Sequence, residues 1–125
     1  MRLLLDTHIM LWIMADAPSL SVPVRQRISR AQEVYVSPVS VWEVSIKAAL
    51  GKLKIDQDRL MENLPAAGFR SLPVTWEHAD AVRRLPAIHR DPFDRLLVAQ
   101  ALSEPLRLLT ADRLLAQYSE LVDVV

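Results

Sequence analysis

Four acidic residues stand out in this 125-residue chain by where they fall: Asp6, Glu43, Asp94 and Asp112. Asp6 closes the short apolar run Leu3-Leu4-Leu5, which suits a buried strand. Asp112 follows a second apolar run, Leu106 to Leu109, and Asp91 and Asp94 open the apolar helix just before it. Glu43 lies in the helix that follows a third strand-like run, Glu33 to Val36. In a parallel sheet all of these can reach one edge, where ligands bind in the crevice beyond the carboxyl ends of the strands. Carboxylates gathered there repel each other and raise one another's pKa. A divalent cation relieves that repulsion, and oxygen ligands favour Mg²⁺ or Mn²⁺ over zinc or copper. One such ion, or two about 3.5–4 Å apart, polarises a phosphodiester and activates water for in-line attack. Thr7 and Thr110, beside the strand ends, are placed to orient the ligands from behind.

Each acid also has a local structural explanation. Asp6, Asp91 and Asp112 stand where helices begin, and Asp is among the best N-caps. Asp94, in the first turn after an Asp91 cap, is favoured by the helix dipole. Glu43 fits capping poorly, because Ser37-Pro38 sets the helix start and leaves Glu43 beyond the first turn. Its structural alternative is an ion pair with Lys47 one turn on, in the favoured Glu-to-Lys order.

The elements that must position these residues follow from local signals. The first strand leads into a helix capped by Asp6 or Thr7 and running to about Ala15. Ser21 caps a helix from Val22 to Ala31, and Glu33 to Val36 is the second strand. The helix begun at Ser37 ends near Leu50-Gly51, and another runs from Asp56 to Ala67 until Gly68 stops it. Phe69 to Val74 is a short extended stretch broken by Pro73, and Thr75 opens a helix reaching about Leu85. Asp91-Pro92 starts the most apolar helix, with Leu96, Leu97, Ala99, Ala101 and Leu102 expected on its buried face. Leu106 to Leu109 and Leu121 to Val125 are the last strands, with a short helix begun at Thr110-Ala111-Asp112 between them. Alternating strands and helices predict the α/β class, with a parallel sheet covered on both faces. Residues 1–125 are expected to form one domain.

Composition removes most other chemistries. There is no cysteine, which excludes disulfide scaffolds, zinc-thiolate sites and thiol nucleophiles. The two glycines, Gly51 and Gly68, cannot write a G-x-G-x-x-G loop, a P-loop or a G-x-S-x-G elbow. The three histidines lack the H-x-x-x-H spacing of zinc proteases. A phosphate-accepting receiver domain would need an acidic pair after the first strand and a late lysine; here Asp6 stands alone and no lysine follows Lys54. Fifteen basic and fifteen acidic residues cancel, so nucleic acid must be held by a local basic patch. No apolar run reaches the roughly 18 residues of a membrane span. Asp6, Thr7 and His8 interrupt the leader-like Met1 to Leu5 before the about 7–15 apolar residues of a signal core. A cytoplasmic protein is expected.

The ordered motifs Leu4-Leu5-Asp6-Thr7-His8, Val39-Ser40-Val41-Trp42-Glu43-Val44, Leu50-Gly51-Lys52-Leu53, the run His89 to Ala101 containing Asp91-Pro92-Phe93-Asp94-Arg95, and Leu109-Thr110-Ala111-Asp112 resemble the PIN domain family. The likeness runs nearly end to end and is nearest to VapC-type toxins, the ribonuclease halves of bacterial toxin–antitoxin pairs. It implies a three-layer α/β/α fold with a short parallel sheet and Mg²⁺- or Mn²⁺-dependent endonuclease action on RNA. By the same resemblance Asp6, Glu43 and Asp94 match the family's principal metal-coordinating acids, and Asp112 a more variable fourth. Asp91 matches the first acid of the D-P-F-D run, as a cap with a supporting role. A homodimer and a cognate antitoxin covering the site are also implied. The same chemistry fits an RNA-processing nuclease without an antitoxin, and the fold alone would fit a silent binding module.

Around the acids, basic residues are candidates for holding phosphates: Arg25, Arg27 and Arg30 on one helix, Lys47, Lys52 and Lys54 after Glu43, and Arg90 and Arg95 beside the acid run. Arg95, next to Asp94, is the strongest of these. His8 and His89 are placed to touch substrate, although metal-activated water removes the need for a general base. Trp12 and Trp42 read as core, or as a dimer or antitoxin surface. Trp76 is expected to pack locally.

Overall fold

The computed structural model describes residues 1–125. The elements run β1 (Arg2–Leu5), α1 (Thr7–Met14), α2 (Val22–Arg30), β2 (Glu33–Val36), α3 (Pro38–Ala49), α4 (Gln57–Ala66), β3 (Arg70–Ser71), α5 (Trp76–Ala81), α6 (Pro92–Ser103), β4 (Arg107–Thr110) and β5 (Val122–Val124), with 3-10 turns at Val82–Arg84 and Arg113–Gln117. All strands pair in parallel, in the order β3-β2-β1-β4-β5. The chain therefore winds outward from β1 in one direction through β2 and β3, and in the other through β4 and β5. That reversal opens a crevice between the carboxyl ends of β1 and β4, the usual ligand position of such sheets.

The central strand shows why the sheet needs helices on both faces. Leu3, Leu4 and Leu5 are fully buried, and alternate strand residues point to opposite faces. Leu3 and Leu5 pack with Ile9, Met10, Ile28 and Leu60 from α1, α2 and α4. Leu4 packs on the other side with Leu97 and Val98 of α6 and with Leu115. Helix α3 joins both cores, through Val44 to the first and Val39 to the second. It thus lies across the edge where Glu43 is needed.

Helix starts are set by side chains, as the local signals predict. Asp6, Ser21, Ser37, Asp56, Thr75 and Asp91 each accept a backbone N–H at the start of α1 to α6, a contribution of about 1 kcal/mol apiece. Gly51 (φ 73°) and Gly68 (φ 84°) end α3 and α4 in the left-handed region.

Four expectations need correction. Of the extended stretch after Phe69 only Arg70–Ser71 joins the sheet, since Pro73 has no N–H to give. Helix α5 ends at Ala81 and tightens into a 3-10 turn; Leu85, preceding Pro86, is extended (ψ 138°). The buried arc of α6 is Leu97 to Ala101, with Leu96 and Leu102 only partly covered. Its Gln100 is buried because it donates to the Leu72 carbonyl (3.0 Å) at the α5 side. Trp76 does not pack: it is 91 % exposed. His78, two residues on, is the buried member of α5, and two helical positions are about 200° apart, so Trp76 faces solvent. No helix is long and apolar enough to cross a membrane.

Candidate active site

The crevice at the strand ends contains the acids. Asp6, Asp94 and Asp112 line one open cavity of about 310 Å³, together with His8, Trp12 and Ala111. Glu43 of α3 does not line that cavity but is buried (3 % exposed) close enough for its charge to raise both Asp6 and Asp94.

Capping and site roles coexist in these residues because a carboxylate has two oxygens. Asp6 Oδ1 accepts from the Ile9 N–H (2.9 Å) and caps α1, while Oδ2 accepts from the Thr110 hydroxyl. Asp112 Oδ1 accepts from the Leu114 N–H (3.0 Å), leaving Oδ2 to the cavity side. Glu43 makes its expected pair with Lys47 (Oε2 to Nζ, 2.5 Å), but Oε1 also accepts from the Thr7 hydroxyl (2.6 Å). Thr7 lies 3.1 Å from Ser40 Oγ, so α1 and α3 are tied together behind the acids. Thr110 accepts from the Asp112 N–H (3.0 Å) while donating to Asp6, and so links the ends of β1 and β4. Both threonines are buried, with their hydroxyls on the Glu43 and Asp6 carboxylates.

Asp94 differs from its neighbours. Its carboxylate accepts no hydrogen bond, and its ion-pair neighbour is His89, with Nε2 3.5 Å from Oδ2. Burial, followed by the charges of Asp91, Asp6 and Glu43, pushes it up to about 7. Asp6 is also raised, chiefly by burial, against the lowering pull of the Ile9 and Thr110 hydrogen bonds. Asp91 is turned to its cap, where Oδ1 accepts from Phe93 and Asp94 N–H (2.8 and 3.1 Å).

His89 is the residue whose role the sequence did not disclose. Its ring nitrogen, Asp94 and Asp112 bring potential ligand atoms within 4.8 Å of one another. However, Nδ1 accepts from the Asp91 N–H (3.0 Å), which puts the proton of the neutral ring on Nε2, facing Asp112 Oδ2 at 2.8 Å. In that tautomer Nε2 is a donor and not a metal ligand. His89 steadies Asp112, and the oxygen set is left for a cation. The only sequence signal was its place two residues before Asp91.

Arg95, expected at a phosphate, is directed elsewhere. Its guanidinium donates to the carbonyls of Val82, Leu85, Pro86 and His89 and to the Tyr118 hydroxyl. Tyr118 in turn accepts from the His89 N–H (2.8 Å). These bonds brace the segment that delivers His89 and Asp91. Arg25 and Arg27 are likewise paired, with Asp16 and Asp123.

The donor set suits a hard divalent cation. Several anionic oxygens converge, Asp94 accepts no hydrogen bond, and burial together with repulsion from the neighbouring acids raises its pKa, a shift that a bound cation would reverse. The PIN domain family model matches residues 3–121. The chain belongs to the PIN domain family. Ribonuclease VapC22 of Mycobacterium tuberculosis (strain ATCC 25618 / H37Rv) is 30 % identical over 124 residues, covering 92 % of this chain and 90 % of that protein. In fold, this PIN domain is similar to the crystal structure of VapBC2 from Rickettsia felis bound to a DNA fragment from their promoter, with TM-score 0.71, 13 % identity, and coverage of 100 % of this chain and 98 % of that one. It is also similar to a toxin–antitoxin complex from Klebsiella pneumoniae, with TM-score 0.69, 17 % identity, and coverage of 97 % and 95 %. The PIN fold and the five-stranded parallel sheet agree with the α/β expectation.

Proposed function

We propose that this PIN domain is a Mg²⁺- or Mn²⁺-dependent endoribonuclease and the toxin half of a toxin–antitoxin pair, acting in the cytoplasm as a single domain over residues 1–125. The observation that carries the reading is the gathering of Asp6, Asp94 and Asp112 on one cavity at the β1–β4 crevice, with Glu43 buried nearby and Asp94 accepting no hydrogen bond and pushed up to about 7. The name of the M. tuberculosis relative supports RNA as substrate. The K. pneumoniae complex supports an antitoxin partner. Trp42, 59 % exposed and stacked edge-on against Phe93 at 5.0 Å, supports a self-association surface beside the site.

On this reading Asp6, Glu43, Asp94 and Asp112 hold the cation, and Thr7, Thr110 and His89 hold the acids. A divalent ion bound there supplies Lewis acidity toward the phosphodiester and lowers the pKa of water. The chain's own part is orientation. Thr110 fixes the free edge of Asp6, Thr7 and Lys47 fix both oxygens of Glu43, and His89 fixes Asp112.

The test is cleavage of purified RNAs with Mg²⁺ or Mn²⁺ by the wild type and by Asp6→Asn and Asp94→Asn. Cleavage by the wild type alone, abolished by EDTA, is expected; cleavage that survives EDTA or either substitution overturns the metal reading. Expression should arrest growth, and co-expression of the small protein encoded beside it should restore growth. Healthy growth with an active enzyme would favour an RNA-processing role.

A further inference from the structure

A nuclease whose site is a cluster of carboxylates must hold a polyanion close to negative charge, so cations have to lie along the strand's path. Most cations of this chain are engaged elsewhere. Arg2 and Arg70 pair with Glu33, Arg27 and Arg107 with Asp123, Arg25 with Asp16, and Arg83 and Arg84 with Asp80. Arg95 is turned to backbone carbonyls. Lys52 and Lys54, by contrast, are exposed and make no ion pair or side-chain hydrogen bond.

These two lysines have a defined place. With Lys47 they line a second cavity, of about 500 Å³, that also contains Thr7, His8 and Trp12. His8 and Trp12 line the acid cavity as well, so the two cavities share a wall. Lys47 connects this second cavity to the acids through its pair with Glu43. The lysine loop is held open by local structure: Gly51 takes a left-handed turn (φ 73°) after α3, and the Lys52 N–H returns to the Lys47 carbonyl (2.9 Å). Arg90 and Arg113 neighbour Asp91 and Asp112 in sequence yet line neither cavity.

We infer that the loop Leu50–Lys54, with Lys47 and Trp12, is a subsite for single-stranded RNA leading into the acid cavity, with Lys52 and Lys54 on backbone phosphates and Trp12 against a base. The inference rests on the ribonuclease reading. Trp12 bounds both cavities, so a strand passing between them crosses the indole. Stacking there requires a base that is not paired in a duplex. Charged side chains on the backbone and an aromatic face under a base are what sequence-tolerant single-strand sites use. The subsite thus selects loops and unpaired segments and leaves base identity unread.

The test is RNA binding, read by fluorescence anisotropy in the Asp6→Asn background so that the strand stays intact. The probes are a short labelled unstructured RNA and the same strand annealed to its complement. Lys52→Ala with Lys54→Ala should flatten the salt dependence by about 1.4, at about 0.7 per phosphate contact on a single strand, and weaken binding roughly tenfold. Trp12→Ala should weaken it by roughly tenfold for the lost stack, with Trp12→Phe recovering most of that; the duplex should bind less tightly and ignore Trp12. Arg30→Ala, at a candidate phosphate cation that is exposed on α2 and lines neither cavity, should change nothing. Lysine variants that bind the single strand with unchanged affinity and salt slope overturn the subsite and leave the groove to an acidic protein segment. An Arg30 effect as large as theirs also overturns it. If the parent binds no RNA and the wild type cleaves none, the ribonuclease reading falls with it. If Trp12→Ala does not fold, the lysine pair and Trp12→Phe carry the result.

Discussion

The two ends of the parallel sheet handle charge in opposite ways. Toward the amino end, where the strands begin, two acids are paired with arginines: Glu33 lies between Arg2 and Arg70, and Asp123, from the middle of β5, between Arg27 and Arg107, which opens β4. The Tyr35 hydroxyl and Arg2 hold Glu33 below the usual carboxylate range. At the carboxyl end, Asp6, Glu43, Asp94 and Asp112 share a crevice with one paired cation, Lys47, and both Asp6 and Asp94 are raised. Charge at one end is closed within the chain; at the other it is left open to something the chain does not itself supply. The same sheet edge chemistry thus gives a structural network in one place and a candidate metal centre in the other.

Substitutions can break this contrast. Asp6→Asn and Asp94→Asn should each reduce RNA cleavage by more than ~100-fold, exceeding the loss typical of residues that merely support ligands, whereas Glu33→Gln should leave cleavage nearly unchanged. Comparable losses at both ends would dissolve the distinction. Next in size, Thr110→Val and Thr7→Val should lower cleavage or metal affinity by roughly 10–100-fold, because each removes the donor that orients an acid.

The contrast also predicts a pH dependence of stability, measured by thermal unfolding in EDTA. Asp94 titrates at about 7 in the folded chain, above its unfolded value near 4. The folded state therefore holds a proton that the unfolded state gives up, and stability present below about pH 4 is lost as pH rises toward and through 7. Asp94→Asn should raise stability at pH 8 by on the order of a few kcal/mol and change it little at pH 4. Adding Mn²⁺ should erase the advantage. An Asn variant that is less stable at pH 8 without metal would count against crowding among the acids.

Smaller effects sharpen the picture. Arg95→Ala should cost about 2 kcal/mol of stability by urea unfolding, since it strips charge-assisted bonds from the segment before α6. Trp76→Ala, at a position 91 % exposed, should stay within about 0.5 kcal/mol.

Much of this was legible in the sequence because the signals were local. Asp6, Ser37-Pro38 and Asp91-Pro92 declare helix starts within a few residues, and Leu3 to Leu5 declare a strand buried on both faces. Strand ends then locate the acids without any coordinates. What stayed hidden depends on distant contacts or side-chain direction. His89 meets Asp112 across a gap of 23 residues, and the proton on Nε2 is decided by a backbone N–H. Arg95 sits beside Asp94 in the chain, yet its guanidinium turns toward the opposite side, to Val82 and Leu85. Trp76 departs from its expected local packing because an aromatic residue packs only if another element comes to cover it, and none does.

The central claim is that the carboxyl-end acids form a divalent-metal site. Calorimetric titration of Mn²⁺ into the wild type and Asp94→Asn at pH 7 tests it most directly. Saturable binding by the wild type with release of protons is expected, weakened by more than ~10-fold in the variant. Equal affinity in the two proteins, or no binding by the wild type, would contradict it.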